Sequence, residues 1–171
     1  MKSTRLYTTV PSPLGEILLA RNDQGLTHLN FQEGTHPLPL DPEWRKDNNA
    51  FRETIAQLDA YFAGELREFD LPLALQGTSF QLAVWQALQT IPYGRTLTYT
   101  QLAQQINNPT AVRAVGAANG RNPLPVIIPC HRVIGADGSL TGYGGGIPIK
   151  EALLSLEQYG TLQPPQQLSI F

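Results

Sequence analysis

Residues 98–134 read TYTQLAQQINNPTAVRAVGAANGRNPLPVIIPCHRVI, and their pattern decides how the second half of the chain folds. The spacing predicts a helix from about Thr100 to Ile106. Asn107-Asn108-Pro109 breaks it, with Asn108 read as an N-cap and Pro109 as the first helical position of a helix from about Thr110 to Asn119. Two short helices joined by a tight turn have the outline of a helix-turn-helix, which ordinary helical hairpins share. The second helix holds Ala111, Ala114, Gly116, Ala117 and Ala118, with Arg113 as its only charge. Small side chains let a backbone approach a surface closely. That surface is either nucleic acid, met by Arg113, or a neighbouring helix.

Asn122-Pro123-Leu124-Pro125 ends the helix. Val126-Ile127-Ile128 reads as a short apolar strand that runs into Pro129-Cys130-His131-Arg132. Cys130 is the only thiol in the chain. A free cysteine with a pKa of about 8.5 is only slightly ionised at neutral pH, and a neighbouring base or cation raises that fraction. In an extended chain adjacent side chains point apart, so His131 would act through a water or a local bend. An inert core thiol is the other reading.

Upstream, Thr78 and Gln81 fit a capping box for a helix with Phe80, Val84 and Leu88 on one face, stopped at Ile91-Pro92-Tyr93-Gly94. The first 32 residues read as an antiparallel meander. Its strands are Leu6–Val10, Glu16–Ala20 and Leu26–Phe31, separated by Pro- and Gly-containing turns. Gly34 to Asp47 reads as a surface loop. A helix from about Asn49 to Ala63 carries Phe51, Ile55, Leu58 and Phe62 as its apolar stripe and Gly64 as its stop. Residues 66–75 read as a further short strand. The expected organisation is an α/β domain over 1–76 and a mainly helical domain over 77–171.

At 171 residues, 42% hydrophobic and 15% charged, the chain buries a core without metal or disulfide staples. No apolar run approaches the roughly 20 residues of a spanning helix, and no signal core follows Lys2 and Arg5; the expectation is a cytoplasmic protein without membrane contact. Residues 1–79 hold 7 Lys+Arg against 11 Asp+Glu, residues 80–171 hold 5 against 3, and no acid occurs between Phe80 and Ala136. Arg95, Arg113, Arg121 and Arg132 therefore mark either an anion-binding face or a weakly charged, well-buried domain.

Ile128-Pro129-Cys130-His131-Arg132-Val133-Ile134 resembles the active-site signature of the O6-alkylguanine-DNA alkyltransferases, the methylated-DNA–protein-cysteine methyltransferases. Thr98–Ala103 resembles the start of that family's helix-turn-helix, Arg113–Gly116 its recognition helix and Asn122-Pro123 its Asn hinge. Gly142–Gly146 resembles its substrate loop, and Lys150–Leu154 with Glu157 its last helix. The likeness is continuous from about Thr78 to Glu157; before that it covers length and strand–helix order.

The resemblance implies a ribonuclease-H-like first domain and direct reversal of DNA damage. Cys130 takes the alkyl group of O6-alkylguanine, or of O4-alkylthymine, once and irreversibly. His131 polarises Cys130 through a water and Glu157 holds His131, where otherwise Glu157 would read as a solvated helix-end charge. Duplex DNA is bound in the minor groove with the base flipped out. Tyr99 rotates a phosphate and donates a proton to the guanine; Arg113 fills the gap in the stack; Thr110, Ala114 and Gly116 face the DNA. Pro125, Tyr143, Gly144 and Gly145 line the alkyl pocket. No cofactor or metal is expected, and the protein is expected to be a monomer, with cooperative binding on DNA left open.

Two departures stand out. Some relatives have Ser at Gly144, and its loss would widen the pocket; a common Trp is replaced by Ala152. The tail from Leu162 to Phe171 extends past the likeness. The alternatives are a non-catalytic protein that flips alkylated bases, against which Cys130 stands; a fused regulator, for which the chain is too short; and a cysteine hydrolase, for which no oxyanion hole is evident.

Overall fold

The computed structural model describes residues 5–141, 143 and 145–162. Gly144 and the tail from Gln163 onward lie outside the described residues. The chain divides into two compact units, Met1–Gln76 and Gly77–Phe171.

In the first unit β1 (Leu6–Val10), β2 (Ile17–Arg21) and β3 (Leu26–Phe31) form the antiparallel meander, with Thr8 opposite Leu19 and Leu19 opposite Leu29. β2 is buried at four successive residues, Ile17 to Ala20, so both its faces are covered. The segment read as a surface loop contributes one more strand, β4 (Arg45–Lys46), parallel to β1 at the other edge of the sheet. Helix α1 (Arg52–Phe62) follows a 3-10 turn at Asn48–Phe51. Its buried side is Phe51, Thr54, Leu58 and Tyr61, rotated from the expected stripe; Ile55 and Phe62 are only half-buried. Tyr61 lies against Phe69, outside the helix, and this contact draws it inward in place of Phe62.

The strand expected over 66–75 shrinks to one parallel bridge, Leu26 with Leu73. Leu26 N–H donates to Pro72 O and Ala74 N–H to Leu26 O, at 2.9 and 2.8 Å. Pro72 has no N–H to extend the ladder. Gly25 permits the close approach, because a Cβ there would lie 2.5 Å from Pro72 O.

The second unit starts with α2 (Ser79–Leu88), closed by the capping box: Gln81 N–H donates to Thr78 Oγ1 and Thr78 N–H to Gln81 Oε1, both at 3.1 Å. Val84, Trp85, Ala87 and Leu88 are buried, and Phe80 half-buried. A second capping box, Thr98 with Gln101, opens α3 (Tyr99–Gln105). Helix α4 (Val112–Gly120) starts later than expected. Ala111 is its N-cap, while Asn108 and Pro109 stand in the preceding turn. Asn107 at φ 60° carries the chain out of α3, and Asn108 accepts from Ala111 N–H through its carbonyl, so it does not cap through its side chain. Strands β5 (Leu97–Thr98) and β6 (Val133–Ile134) pair in parallel, which sets the start of α3 beside the residues after Cys130. Helix α5 (Ile147–Tyr159) runs from Gly146 to a left-handed Gly160.

The expected strand at 126–128 is absent. Ile128 N–H donates to Leu124 O at 2.8 Å, and Val126 sits at φ 75°. Pro123, Pro125 and Pro129 supply no N–H, so a ladder cannot form here. Asn122 holds the turn together: its Nδ2 donates to Ile128 O at 2.8 Å and its Oδ1 accepts from Leu124 N–H at 2.9 Å. A β-branched residue in the left-handed region costs on the order of 1–3 kcal/mol. The buried Leu124, Val126, Ile127 and Ile128 offset that cost.

Candidate active site

Cys130, His131 and Arg132 form one 3-10 turn, so the local bend that the extended reading required is present. Cys130 is 4% exposed and His131 fully buried. His131 Nε2 lies 2.7 Å from Glu157 Oε2. Glu157 is held as a carboxylate, so Nε2 carries the hydrogen and donates. Nδ1 then has the free lone pair, and it is buried with no hydrogen-bond partner. Burial lowers the His131 pKa against the pull of Glu157, leaving a neutral imidazole at pH 7. Burial alone would raise Glu157; the contacts of His131 and Arg132 outweigh it and hold the carboxyl well below its usual range.

Of the four arginines that mark either an anion-binding face or a well-buried domain, Arg132 follows the buried reading: only 7% of it is exposed. Its Nε donates to Glu157 Oε1 at 2.7 Å, its Nη2 to Glu157 Oε2 at 2.9 Å and its Nη1 to Ile91 O at 2.6 Å. Gly94 N–H adds a bond to Glu157 Oε1 at 3.1 Å. Arg132 is thus a partner of the buried carboxylate.

The cysteine also differs from expectation. Burial pushes the Cys130 thiol up to about 11; the Asn122 side chain and the Lys150 charge pull it only part of the way back. The resting sulfur is a thiol, and deprotonation has to accompany its reaction. Lys150, buried on α5, is pushed down to about 8 by burial. Its Nζ donates to Thr141 O at 2.8 Å, and Tyr99 Oη donates to the same oxygen at 2.9 Å. Tyr143 is buried, its hydroxyl has no partner, and burial raises its pKa with a further push from the Cys130 charge. The same charge reaches Tyr99. Cys130, Tyr99, Tyr143 and Lys150 therefore share one small region. Asn119 joins them through Nδ2, 3.4 Å from Cys130 O.

The small side chains of α4 are not packed inward as a set. Val115, Ala118 and Asn119 are buried; Arg113, Ala114 and Ala117 are exposed, Gly116 is half-buried, and Thr110 before the helix is exposed. Gly116 lies against the Tyr99 ring, where an added Cβ would meet Cδ1 at 3.8 Å. Pro125 and Gly145 are half-buried.

Sequence reasoning missed Arg132, Lys150 and Asn119 as members of this cluster. One signal was available: Lys150 and Glu157 are seven residues apart, on one stripe of a helix whose other residues there are Leu153 and Leu154. Two charges on a core-facing stripe must find partners.

Comparison with known proteins agrees with this architecture. Residues 79–159 match the DNA binding domain, and residues 5–75 the ribonuclease-like domain, of 6-O-methylguanine DNA methyltransferase. A Methanosarcina barkeri protein named methylated-DNA–protein-cysteine methyltransferase is 54% identical over 152 residues, covering 89% of this chain and 96% of the relative. A Mycobacterium bovis protein of the same name is 53% identical over 165 residues, covering 96% and 98%. The crystal structure of Mycobacterium tuberculosis OGT in complex with DNA superposes with a TM-score of 0.86 at 51% identity, covering 97% of this chain and 99% of that one. A ribonuclease-like unit followed by a helical DNA-binding unit built around one buried thiol defines the class. The chain belongs to the 6-O-methylguanine DNA methyltransferase family.

Proposed function

We propose that this protein repairs DNA by direct reversal, moving the alkyl group of O6-alkylguanine, and of O4-alkylthymine, from duplex DNA onto its own Cys130 in one irreversible turnover. The observation that carries the reading is the 2.7 Å contact between His131, in the turn that holds the only thiol, and Glu157 on α5, with His131 Nδ1 left as a buried acceptor. A thiol pushed up to about 11 is unreactive until a base removes its proton. Neutral His131 takes that proton through a water as Sγ attacks the alkyl carbon. The carbon–oxygen bond breaks in line, guanine leaves with the electron pair, and a thioether remains on Cys130. The protein is the alkyl acceptor, so the reaction requires no cofactor.

The exposed Thr110, Arg113 and Ala114, with the half-buried Gly116 beside them, meet the minor groove, where little sequence is read and damage at any position is accessible. Arg113 fills the stack vacated by the flipped base, and Tyr99 contacts the phosphate and donates to the departing guanine. Asn122 keeps the Cys130 turn in register. Tyr143, with Pro125 and Gly145, borders the alkyl group. We read the protein as a monomer that works in the cytoplasm.

Intact mass spectrometry after incubation with duplex DNA carrying O6-methylguanine tests the reading. One methyl mass on Cys130, and no more than one equivalent repaired per protein, is expected. Continued repair beyond one equivalent, or binding without any mass gain, would overturn it. Cys130→Ser should lose transfer and retain DNA binding, because an alcohol is a far poorer nucleophile than a thiolate.

A further inference from the structure

The Glu157 carboxylate is buried, yet it takes hydrogen bonds from three directions: His131 Nε2, Gly94 N–H and the fork of Arg132 Nε and Nη2. The alkyl-transfer reading gives Glu157 and His131 a purpose and leaves Arg132 without one. We propose that Arg132 is a positioning residue for alkyl transfer: its guanidinium, forked on Glu157, keeps that carboxylate ionised and aimed at His131 Nε2, so that Nδ1 stays unprotonated and ready for the thiol proton. This inference rests on the alkyl-transfer reading above.

The argument is one of charge and geometry. A lone buried carboxylate takes up a proton rather than remain an uncompensated ion. A bidentate guanidinium supplies the counter-charge and also fixes the plane of the carboxylate, which a point charge cannot do. Arg132 is itself fixed by a third bond, from Nη1 to Ile91 O, and its guanidinium carbon lies 5.7 Å from the centre of the Tyr93 ring. The groups that face the pair are Cys130, His131 and Arg132 from the 3-10 turn, Glu157 and Lys150 from α5, and Tyr93 with the Gly94 amide from the segment before β5. Among the charges, Glu157 draws a proton toward His131, and Arg132 and Lys150 oppose it.

With Arg132 neutralised, Glu157 and His131 together carry an unbalanced negative charge in a buried site. The pair then binds an extra proton at neutral pH. On Nδ1 that proton occupies the acceptor; on the carboxylate it removes the anion that orients the ring. In both cases the pair has to lose the proton before His131 can serve Cys130, and the acid limb of the rate profile rises.

The test is the pH dependence of single-turnover transfer from free O6-benzylguanine to the full chain, followed by intact mass, in wild type, R132K, R132Q and the double variant R132Q/E157Q. In R132Q the acid limb should move up by roughly one pH unit or more, the scale on which a close opposite charge shifts an acid or imidazole. R132K keeps the charge and loses the fork, so its plateau should fall while its limb stays within about half a unit of wild type. The double variant removes both charges together and its limb should also stay within about half a unit. A uniformly slower R132Q with an unmoved limb would overturn the proposal. So would a limb in R132K or in the double variant displaced by a full unit, and those two variants decide the matter if R132Q does not fold. If wild type itself gains no benzyl mass, the alkyl-transfer reading fails instead.

Discussion

The hydroxyl of Tyr99 donates to the backbone carbonyl of Thr141, 42 residues away in sequence, at 2.9 Å. A phenol has one proton to donate. If Tyr99 has the proposed role, it cannot hold Thr141 and protonate a departing guanine at once, and substrate would have to release this contact while Lys150 Nζ still donates to that oxygen. Tyr99→Phe should slow reaction with free O6-benzylguanine and with duplex alike, by about 10- to 100-fold if the lost interaction is with a developing charge. The same variant should lose only about 0.5–1.5 kcal/mol of unfolding free energy. Wild-type rates on both substrates would refute the role.

Arg113 is exposed on α4, and Gly116 faces the Tyr99 ring. Arg113→Ala should leave stability within about 0.5 kcal/mol, since it removes an exposed side chain. It should leave the free-base reaction intact and slow duplex repair by tens of fold, because unstacking costs a few kcal/mol and each 1.4 kcal/mol is about tenfold. Gly116→Ala should stabilise the helix by up to about 1 kcal/mol yet weaken duplex binding. Its Cβ has ordinary space at 3.8 Å, so any loss of binding belongs to the DNA side. Equal slowing of free base and duplex by Arg113→Ala would make that residue structural.

Asn122 bridges Leu124 N–H and Ile128 O across a turn in which Val126 is at positive φ. Asn122→Ala removes both bonds and should cost about 1–3 kcal/mol. It also removes a side chain that lowers the Cys130 pKa, so the thiol should titrate still higher and reaction with free base should slow. Thiolate absorbance against pH, measured together with urea unfolding, separates the two effects. An unmoved thiol titration would confine Asn122 to the fold.

The parts legible in sequence were those with local causes. Thr78 and Gln81 announce a helix start because the cap is made within four residues; Thr98 with Gln101 makes the same kind of cap, which the reading of that helix from about Thr100 passed over. The meander was readable from its turns. The misread parts depend on distant partners or absent donors. Val126-Ile127-Ile128 has strand composition, but three flanking prolines and the Asn122 side chain make it a turn. Ile55 and Phe62 gave way to Thr54 and Tyr61 because Tyr61 meets Phe69, outside the helix. For Arg132 the sequence left both an anion-binding face and a buried charge open, and the fold decides by bringing Glu157 to it from 25 residues away.

Stability should fall on acidification from pH 7.5 to 5.5. Burial lowers the pKa of His131, and burial with Arg5 lowers that of His28. In this window the unfolded chain, with histidines near their ordinary value of about 6.5, binds more protons than the native state. Stability is therefore present above that value and lost as pH drops through it. Each histidine can contribute at most about 1.4 kcal/mol per pH unit. Glu157, held low, adds a loss in the same direction only below about pH 4.5, the ordinary carboxyl range. Urea midpoints at the two pH values check this; a midpoint unchanged or higher at pH 5.5 would mean that native His131 is protonated.

Salt dependence of DNA binding should be shallow. Residues 80–171 hold five cations: Arg95, Arg113, Arg121, Arg132 and Lys150. Arg132 is committed to Glu157, and Lys150 is buried against Thr141. Arg95, Arg113 and Arg121 are the exposed ones. Each phosphate neutralised on duplex DNA releases counterions worth a slope of about −0.9 in log K against log salt, so three contacts give roughly −2.7. Neutral donors such as backbone N–H groups can hold a phosphate without adding to that slope, so tight binding and weak salt dependence are compatible. Arg121→Ala should flatten the slope by about 0.9 if Arg121 sits on the backbone, and leave it unchanged if it does not. Fluorescence anisotropy of a labelled duplex across a salt series gives both numbers. A slope steeper than about −5 would require cations beyond these three, and would move the DNA-binding face away from α4.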